Sequence, residues 1–267
     1  MRPTPWLSLL AITFLGACRS SPPPAAQDDA GLTSAPGKLP AAVTPPSLPR
    51  GVIVRPEFDT AEGRLSAGTA FFVSIPGEAS PLGLTAHHLF GEAGGLERQV
   101  SATELGQLVR AVRFREIDLD EEGPLPAGPM VVLPSAGHAR EAGDWSTDVA
   151  AFRAPARLSP RALRLAPRNA APGEPVWLVA EVLGGDSAGQ RLHRARVVHS
   201  EPALLAYRFE DTTLELRATS GAPVVNAGGE VVGLQVSGGP EGDILWGNAH
   251  PVESVRDHVM KGLSAAK

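Results

Sequence analysis

The chain has one cysteine in 267 residues, Cys18, which excludes any disulfide within it. Neither HExxH nor CxxC occurs, and His138, His193, His199, His250 and His258 stand isolated, so no catalytic metal and no other cofactor is expected. A basic stripe is also missing. The net charge is -5 and the Lys and Arg are scattered, which argues against a nucleic-acid partner. No internal repeat is evident. What remains, 43% hydrophobic and 20% charged, is the composition of a globular protein able to bury a sizeable core.

The first residues read as an export signal. Arg2 is a short basic region, Trp6 to Leu15 an apolar run too short to cross a bilayer as a mature helix, and Leu15-Gly16-Ala17 a small-residue cleavage site ahead of Cys18. Leu15-Gly16-Ala17-Cys18 resembles a bacterial lipobox. That resemblance implies cleavage before Cys18, acylation of its sulfur and new amino group, and stable anchoring by more than one acyl chain. By the same analogy, Arg19 after the cysteine favours the outer membrane, with the protein facing the periplasm.

From Arg19 to Pro49 the chain is rich in Pro, Ala and Ser, includes Pro22-Pro23-Pro24 and Pro45-Pro46, and has no aromatic residue. Such a segment buries too little apolar area to offset its ordering entropy, so residues 18–50 are expected to form a disordered tether. From residue 51 onward, short apolar strands alternate with Gly and Pro: Gly68 to Ile75, Val131 to Leu133, Val149 to Phe152, Val176 to Val182, Ala195 to Val198, Leu204 to Phe209, Pro223 to Val225, Val231 to Val236 and Ile244 to Trp246. Asn226-Ala227-Gly228-Gly229 is a hairpin turn. Helical signals are few. Ser101 and Glu104 have capping-box spacing ahead of Leu105, Leu108 and Val109. Pro251 suits the start of a terminal helix, in which Val252, Val255, Val259 and Leu263 share a face. The pattern predicts an all-β protein with a C-terminal helix.

Three clusters carry chemistry. Ala218-Thr219-Ser220-Gly221-Ala222-Pro223 places a serine in a tight loop just before a buried strand, a setting that exposes Oγ and frees backbone N–H groups. Upstream, Gly68-Thr69-Ala70-Phe71-Phe72-Val73 leads to Leu84-Thr85-Ala86-His87-His88. Between them lies Thr147-Asp148-Val149-Ala150. Together, in the order His, Asp, Ser, these resemble the motifs of trypsin-like (chymotrypsin-fold) serine peptidases, closest to the bacterial HtrA-like branch. The resemblance covers roughly residues 51–263. It implies two six-stranded antiparallel barrels, roughly residues 51–155 and 156–250, with Ser220 as nucleophile, His88 as base and Asp148 orienting the base. Asp144 is the near competitor of Asp148. It further implies an oxyanion hole from the N–H groups of Ala218 and Ser220, and a substrate-binding strand edge at Ser237 and Gly238, where Leu214 or Glu215 could shape the pocket. The implied partner is a peptide or protein substrate, and contact with the membrane is through Cys18 only.

Departures from the pattern matter too. Ala218 stands where the family usually has Gly, and His87 replaces a small residue as a neighbour of the base. Thr219 stands where zymogen-type members carry Asp, and no Ile-Val-Gly-Gly start is present, so activation by cleavage is not expected. After Pro251 only the terminal helix remains, so no PDZ domain is expected. An inactive barrel that binds peptides or a partner protein is the alternative that Ala218 keeps open. A third reading rests on Gly185-Asp186-Ser187-Ala188-Gly189, which fits the Gly-x-Ser-x-Gly elbow of α/β-hydrolases, with Asp243 and His250 or His258 following in order. That reading requires a helix directly after Ser187.

The anchoring expectation is checked by mass spectrometry of the mature N-terminus, which should begin at an acylated Cys18. A Cys18→Ala variant that still partitions into membranes overturns it.

Overall fold

The computed structural model describes residues 43–61, 63–117, 125–126, 130–131 and 148–265. The leader, Cys18, most of the Pro/Ala-rich segment, His138 and Asp144 lie outside the described residues. Among those described, no helix is long and apolar enough to cross a membrane.

The first half is a nine-stranded sheet. Its strands are β1 (Ile53–Thr60), β2 (Arg64–Ser66), β3 (Ala70–Ser74), β4 (Leu82–Thr85), β5 (Val109–Glu116), β6 (Leu125–Pro126), β7 (Met130–Val131), β8 (Ala150–Arg153) and β9 (Leu163–Arg164). The path runs β6-β5-β1-β3-β4-β8-β7, with β2 on β1 and β9 parallel to β3. The second half is a closed six-stranded antiparallel barrel of β10 (Pro175–Val179), β11 (Leu192–Ser200), β12 (Leu205–Phe209), β13 (Pro223–Val225), β14 (Val231–Glu241) and β15 (Ile244–Pro251). Two α-helices complete the described chain, α1 (Ala102–Leu108) and α2 (Val252–Ala265). This is the all-β, trypsin-like double-barrel class that the motifs imply, with the closed barrel in the second half and a sheet in the first.

Strand burial explains why the apolar runs are continuous instead of alternating. In β3, Phe71 and Val73 face the core shared with the second barrel, while Ala70 and Phe72 face the core within the first sheet. Strand β10 does the same from the other side. Trp177 and Val179 join the shared core, and Val176 and Leu178 fill the barrel interior. A strand covered on both faces has no polar side to show.

The capping box at Ser101 and Glu104 starts α1. Val252, Val255, Val259 and Leu263 are buried along α2, and Pro251 ends β15 one residue before that helix. At the predicted hairpin turn the Asn226 carboxamide accepts from the Gly228 N–H at 2.9 Å, and Gly229 takes φ 75°.

Six of the described strands escaped the sequence reading, β1, β2, β4, β5, β6 and β9, and the two longest of these, β1 and β5, show why. Arg55, Pro56, Glu57 and Asp59 break the apolar pattern of β1, and Arg113 and Arg115 break that of β5. These charges are satisfied across the strand pair, with Arg115 on Glu57 at 2.7 Å and Arg113 on Asp59. The tether also ends earlier than residue 50. Pro46 is buried, and Val43 and Leu48 pack on the shared core beside the Asn226 turn, so the packed unit begins by residue 43. Apolar contact from three side chains outweighs the prolines there.

In β4, a Cβ added at Gly83 would stand 2.5 Å from the buried Phe114 ring, which meets Phe72 edge to face at 5.2 Å. Gly83→Ala should therefore destabilise the fold by about 1–3 kcal/mol in denaturant unfolding. Phe114→Leu should recover part of that loss. An alanine variant as stable as wild type contradicts this packing.

Candidate active site

Strand register sets the first half of the site. Strands β4 and β8 are antiparallel, with Thr85 opposite Ala150. The chain leaving β4 and the chain entering β8 therefore lie at the same end of the pair, which brings His88, three residues past Thr85, beside Asp148, two residues before Ala150. His88 sits in a 3₁₀ turn, His87–Phe90, that follows β4 directly. Its backbone N–H donates to Asp148 Oδ1 at 2.7 Å, and its ring Nδ1 meets Oδ2 at 2.6 Å. Both residues are nearly out of water, His88 at 4% and Asp148 at 5% exposure. The carboxylate thus fixes both the backbone and the imidazole of one residue. Asp148 stands two residues before the buried strand β8, which holds it in place.

His87 points the other way. It is 1% exposed, its Nε2 hydrogen-bonds to the Val100 carbonyl at 2.7 Å, and its ring packs on Phe90.

The Ser220 loop is folded by its own backbone and fastened on two sides. The Thr219 N–H and Oγ1 both donate to the Leu216 carbonyl, at 3.2 and 2.7 Å, and the Ala222 N–H donates to Thr219 O at 2.9 Å. Strand β14 holds one flank: the Gly221 N–H donates to Gln235 O at 2.7 Å, and the Gln235 N–H to Ala222 O at 2.8 Å. The first sheet holds the other, where Thr69 donates through its N–H to Ser220 O at 2.8 Å and through Oγ1 to Ala218 O at 2.9 Å. Gly221, at φ 85°, lies so close to Ala86 that an added Cβ would be 2.9 Å from the Ala86 N and 2.2 Å from Thr69 O. The serine loop and the turn bearing His88 are in this way packed backbone to backbone.

Ala218 adopts φ 66°, the only non-glycine among the described residues with positive φ. None of the backbone hydrogen bonds within this loop uses the N–H of Ala218 or of Ser220. Thr219, 1% exposed, spends its side chain on the loop itself.

Ser237 and Gly238 follow Gln235 along β14, beside the loop. The Ser237 carbonyl accepts from Gln235 Nε2 at 2.7 Å, and its hydroxyl from Asn248 Nδ2 at 3.2 Å. A Cβ at Gly238 would meet the Leu216 side chain at 2.8 Å. Leu214 is buried in the barrel core, while Glu215 pairs with Arg217.

Ser187 lies in the turn between β10 and β11, with no helix after it. That removes the strand-turn-helix context an α/β-hydrolase elbow requires. Its N–H and Oγ donate instead to Asp211 Oδ2, at 2.9 and 2.5 Å, and Thr213 donates twice to Asp211 Oδ1. Asp211, Thr69 and Thr85 were assigned no role from sequence. Thr69 and Thr85 stand within the quoted motifs, but what they reach is distant in the chain.

Solved structures share this fold. In structure, a serine endoprotease from Yersinia pestis is similar at 16% identity, with 82% of this chain and 65% of that one covered and a TM-score of 0.53. A thermostable serine protease from an extremophilic microorganism is similar at 17% identity, covering 80% and 97%, also at 0.53. The protease Anisep from Arthrobacter nicotinovorans stands at 14% identity, covering 80% and 96%, at 0.52. At such identities the likeness is one of fold, the fold of chymotrypsin-type serine proteases. No curated protein matches the sequence. The trypsin-like peptidase domain family matches residues 68–234, more than half of the chain, and the protein belongs to that family.

The Asp211 knot generates a pH prediction. Burial acts to raise the Asp211 pKa, but the hydrogen bonds from Ser187 and Thr213 outweigh it and lower the group from 3.8 to about 2. A lowered carboxyl pKa stabilises the fold above the unfolded value, and the contribution is lost as pH falls through about 2. Asp211→Asn should be less stable than wild type from about pH 5 to 7, with the gap closing toward the acid end. A gap that keeps its size as the pH falls from about 5 to about 2 counts against the knot.

Proposed function

We propose that the protein is a serine-type endopeptidase that hydrolyses peptide bonds through an acyl-enzyme, with Ser220 as nucleophile, His88 as general base and Asp148 as orienting acid. The observation that carries this reading is the buried double hydrogen bond from His88 to Asp148, at 2.7 and 2.6 Å, at the end of the strand pair against which the Ser220 loop is packed. With Nδ1 committed to the carboxylate, Nε2 is the nitrogen left to take a proton.

The chemistry follows. A serine hydroxyl is a weak nucleophile at neutral pH, so Nε2 accepts its proton as Oγ bonds to the carbonyl carbon. The carbonyl oxygen becomes an oxyanion, which the N–H groups of Ala218 and Ser220 hold; losing one such donor costs about 3 kcal/mol in comparable sites. When the C–N bond breaks, the imidazolium returns its proton to the leaving amine. Asp148 stabilises that imidazolium. Water then repeats the sequence on the ester, with His88 again as base. Ser237 and Gly238 supply the edge along which substrate backbone lies.

Within its family we place the protein nearest the HtrA-like branch. We also propose that it is exported, acylated at Cys18 and held at the cell envelope, facing the periplasm from the outer membrane. Residues 1–17 serve as the signal and the segment up to residue 42 as the tether.

One observation favours a second reading, an inactive barrel that binds peptides or a protein. Ala218 at φ 66° holds a conformation that costs an L-residue about 1–2 kcal/mol, at a position where glycine would hold it freely. Labelling with a fluorophosphonate separates the two. Wild type should be labelled, Ser220→Ala should not, and His88→Ala should label far more slowly. Ala218→Gly should stay labelled and gain about 1 kcal/mol of stability. A folded protein that resists the probe in both wild-type and Ala218→Gly forms is the binding module instead.

A further inference from the structure

The resemblance that assigns roles to Ser220, His88 and Asp148 assigns none to Thr69. We propose that Thr69 is a positioning residue whose hydroxyl holds the oxyanion loop in its working conformation. This rests on the catalytic reading above. Thr69 is 2% exposed and makes three bonds at one point. Its N–H takes the Ser220 carbonyl at 2.8 Å, its Oγ1 takes the Ala218 carbonyl at 2.9 Å, and its own carbonyl is held by Thr85 Oγ1 at 2.7 Å. Gly68, at φ 67°, lets the chain come this near: a Cβ there would stand 2.6 Å from Ser220 O.

The consequence lies in the peptide that joins Ala218 to Thr219. Its carbonyl is tied to Thr69 Oγ1 and its N–H to the Leu216 carbonyl at 3.2 Å, so the unit is held at both ends and cannot rotate. Ala218, at φ 66°, would otherwise leave the left-handed region, because its Cβ is unfavourable there. Rotation of that peptide would re-aim the neighbouring N–H groups of Ala218 and Ser220. A hydroxyl on the first sheet thereby sets the direction of donors on the second barrel, without touching substrate. Glycine at 218 would need no such restraint, since positive φ costs it nothing. The threonine compensates for the alanine.

The test is a cycle of Thr69→Val, Ala218→Gly and the double variant, with Thr69→Ser as control. Valine keeps the shape and removes the donor; serine keeps the donor. Two readouts are taken: the rate of fluorophosphonate labelling with kcat and KM on a peptide substrate, and amide hydrogen exchange in the peptide covering Leu216 to Ala222. Thr69→Val should slow labelling and kcat about tenfold or more, with KM within about twofold of wild type. Thr69→Ser should behave as wild type. Exchange in the loop should quicken in Thr69→Val while the β10 to β12 core stays protected, and the rate penalty should shrink in the Ala218→Gly background. Unchanged loop exchange in Thr69→Val overturns the proposal, and so does a penalty of the same size with alanine or glycine at 218. Wild type and Ala218→Gly both inert to the probe, combined with quickened exchange in Thr69→Val, overturn the enzymatic reading and leave the clamp standing.

Discussion

Two separately hydrogen-bonded β-structures become one site where the Thr69 N–H meets the Ser220 carbonyl, at 2.8 Å. On one side of that bond, the register of β4 against β8 has already fixed His88 beside Asp148. On the other, β14 has fixed the flank of the Ser220 loop through Gln235. Neither half alone sets the distance between serine and histidine. The close approach does, and it is possible because Gly68 and Gly221 offer no side chain where the two backbones meet. Dispersion in the shared core around Trp177, Phe71 and Leu234 then holds the halves together.

Much of this was legible in the sequence, and the reason is local. The runs Ala70 to Val73 and Val176 to Val179 are apolar because each strand is covered on both faces, and a run of that kind can be read without knowing its partner. The Ser101 and Glu104 box and the Asn226 turn are likewise complete within a few residues. The motifs at His88, Asp148 and Ser220 can each be read from a few neighbouring residues, with a flanking strand. What escaped is non-local. Glu57 and Arg115 look like strand breakers until they face one another across β1 and β5. Thr69 looks like a spacer until the chain returns at Ala218, 149 residues later. Val43 to Leu48 reads as tether because only the folded core supplies something for it to cover.

The site also shows how a fold can carry an unfavourable residue. Ala218 is strained where it stands, and the loop around it is unusually well restrained, with hydrogen bonds from Thr69, Thr219, Gly221 and Gln235 converging on four or five residues. Strain persists in proteins where the surroundings over-determine the conformation. Whether the barrel is read as enzyme or as binder, the restraint is the same, and the two readings differ only in what the freed N–H groups meet.

Tyr207, the chain's one tyrosine, is fully buried inside the second barrel and donates its hydroxyl to the Gln235 side chain. Burial raises its pKa well above the ordinary value of 10.0. The same Gln235 holds the β14 flank of the Ser220 loop through its backbone. The protein therefore contains an optical probe of its own site. Phenolate absorbance comes from this single ring, one residue removed from the loop, so an alkaline absorbance titration of the unlabelled chain reports when the barrel interior around Gln235 opens to water.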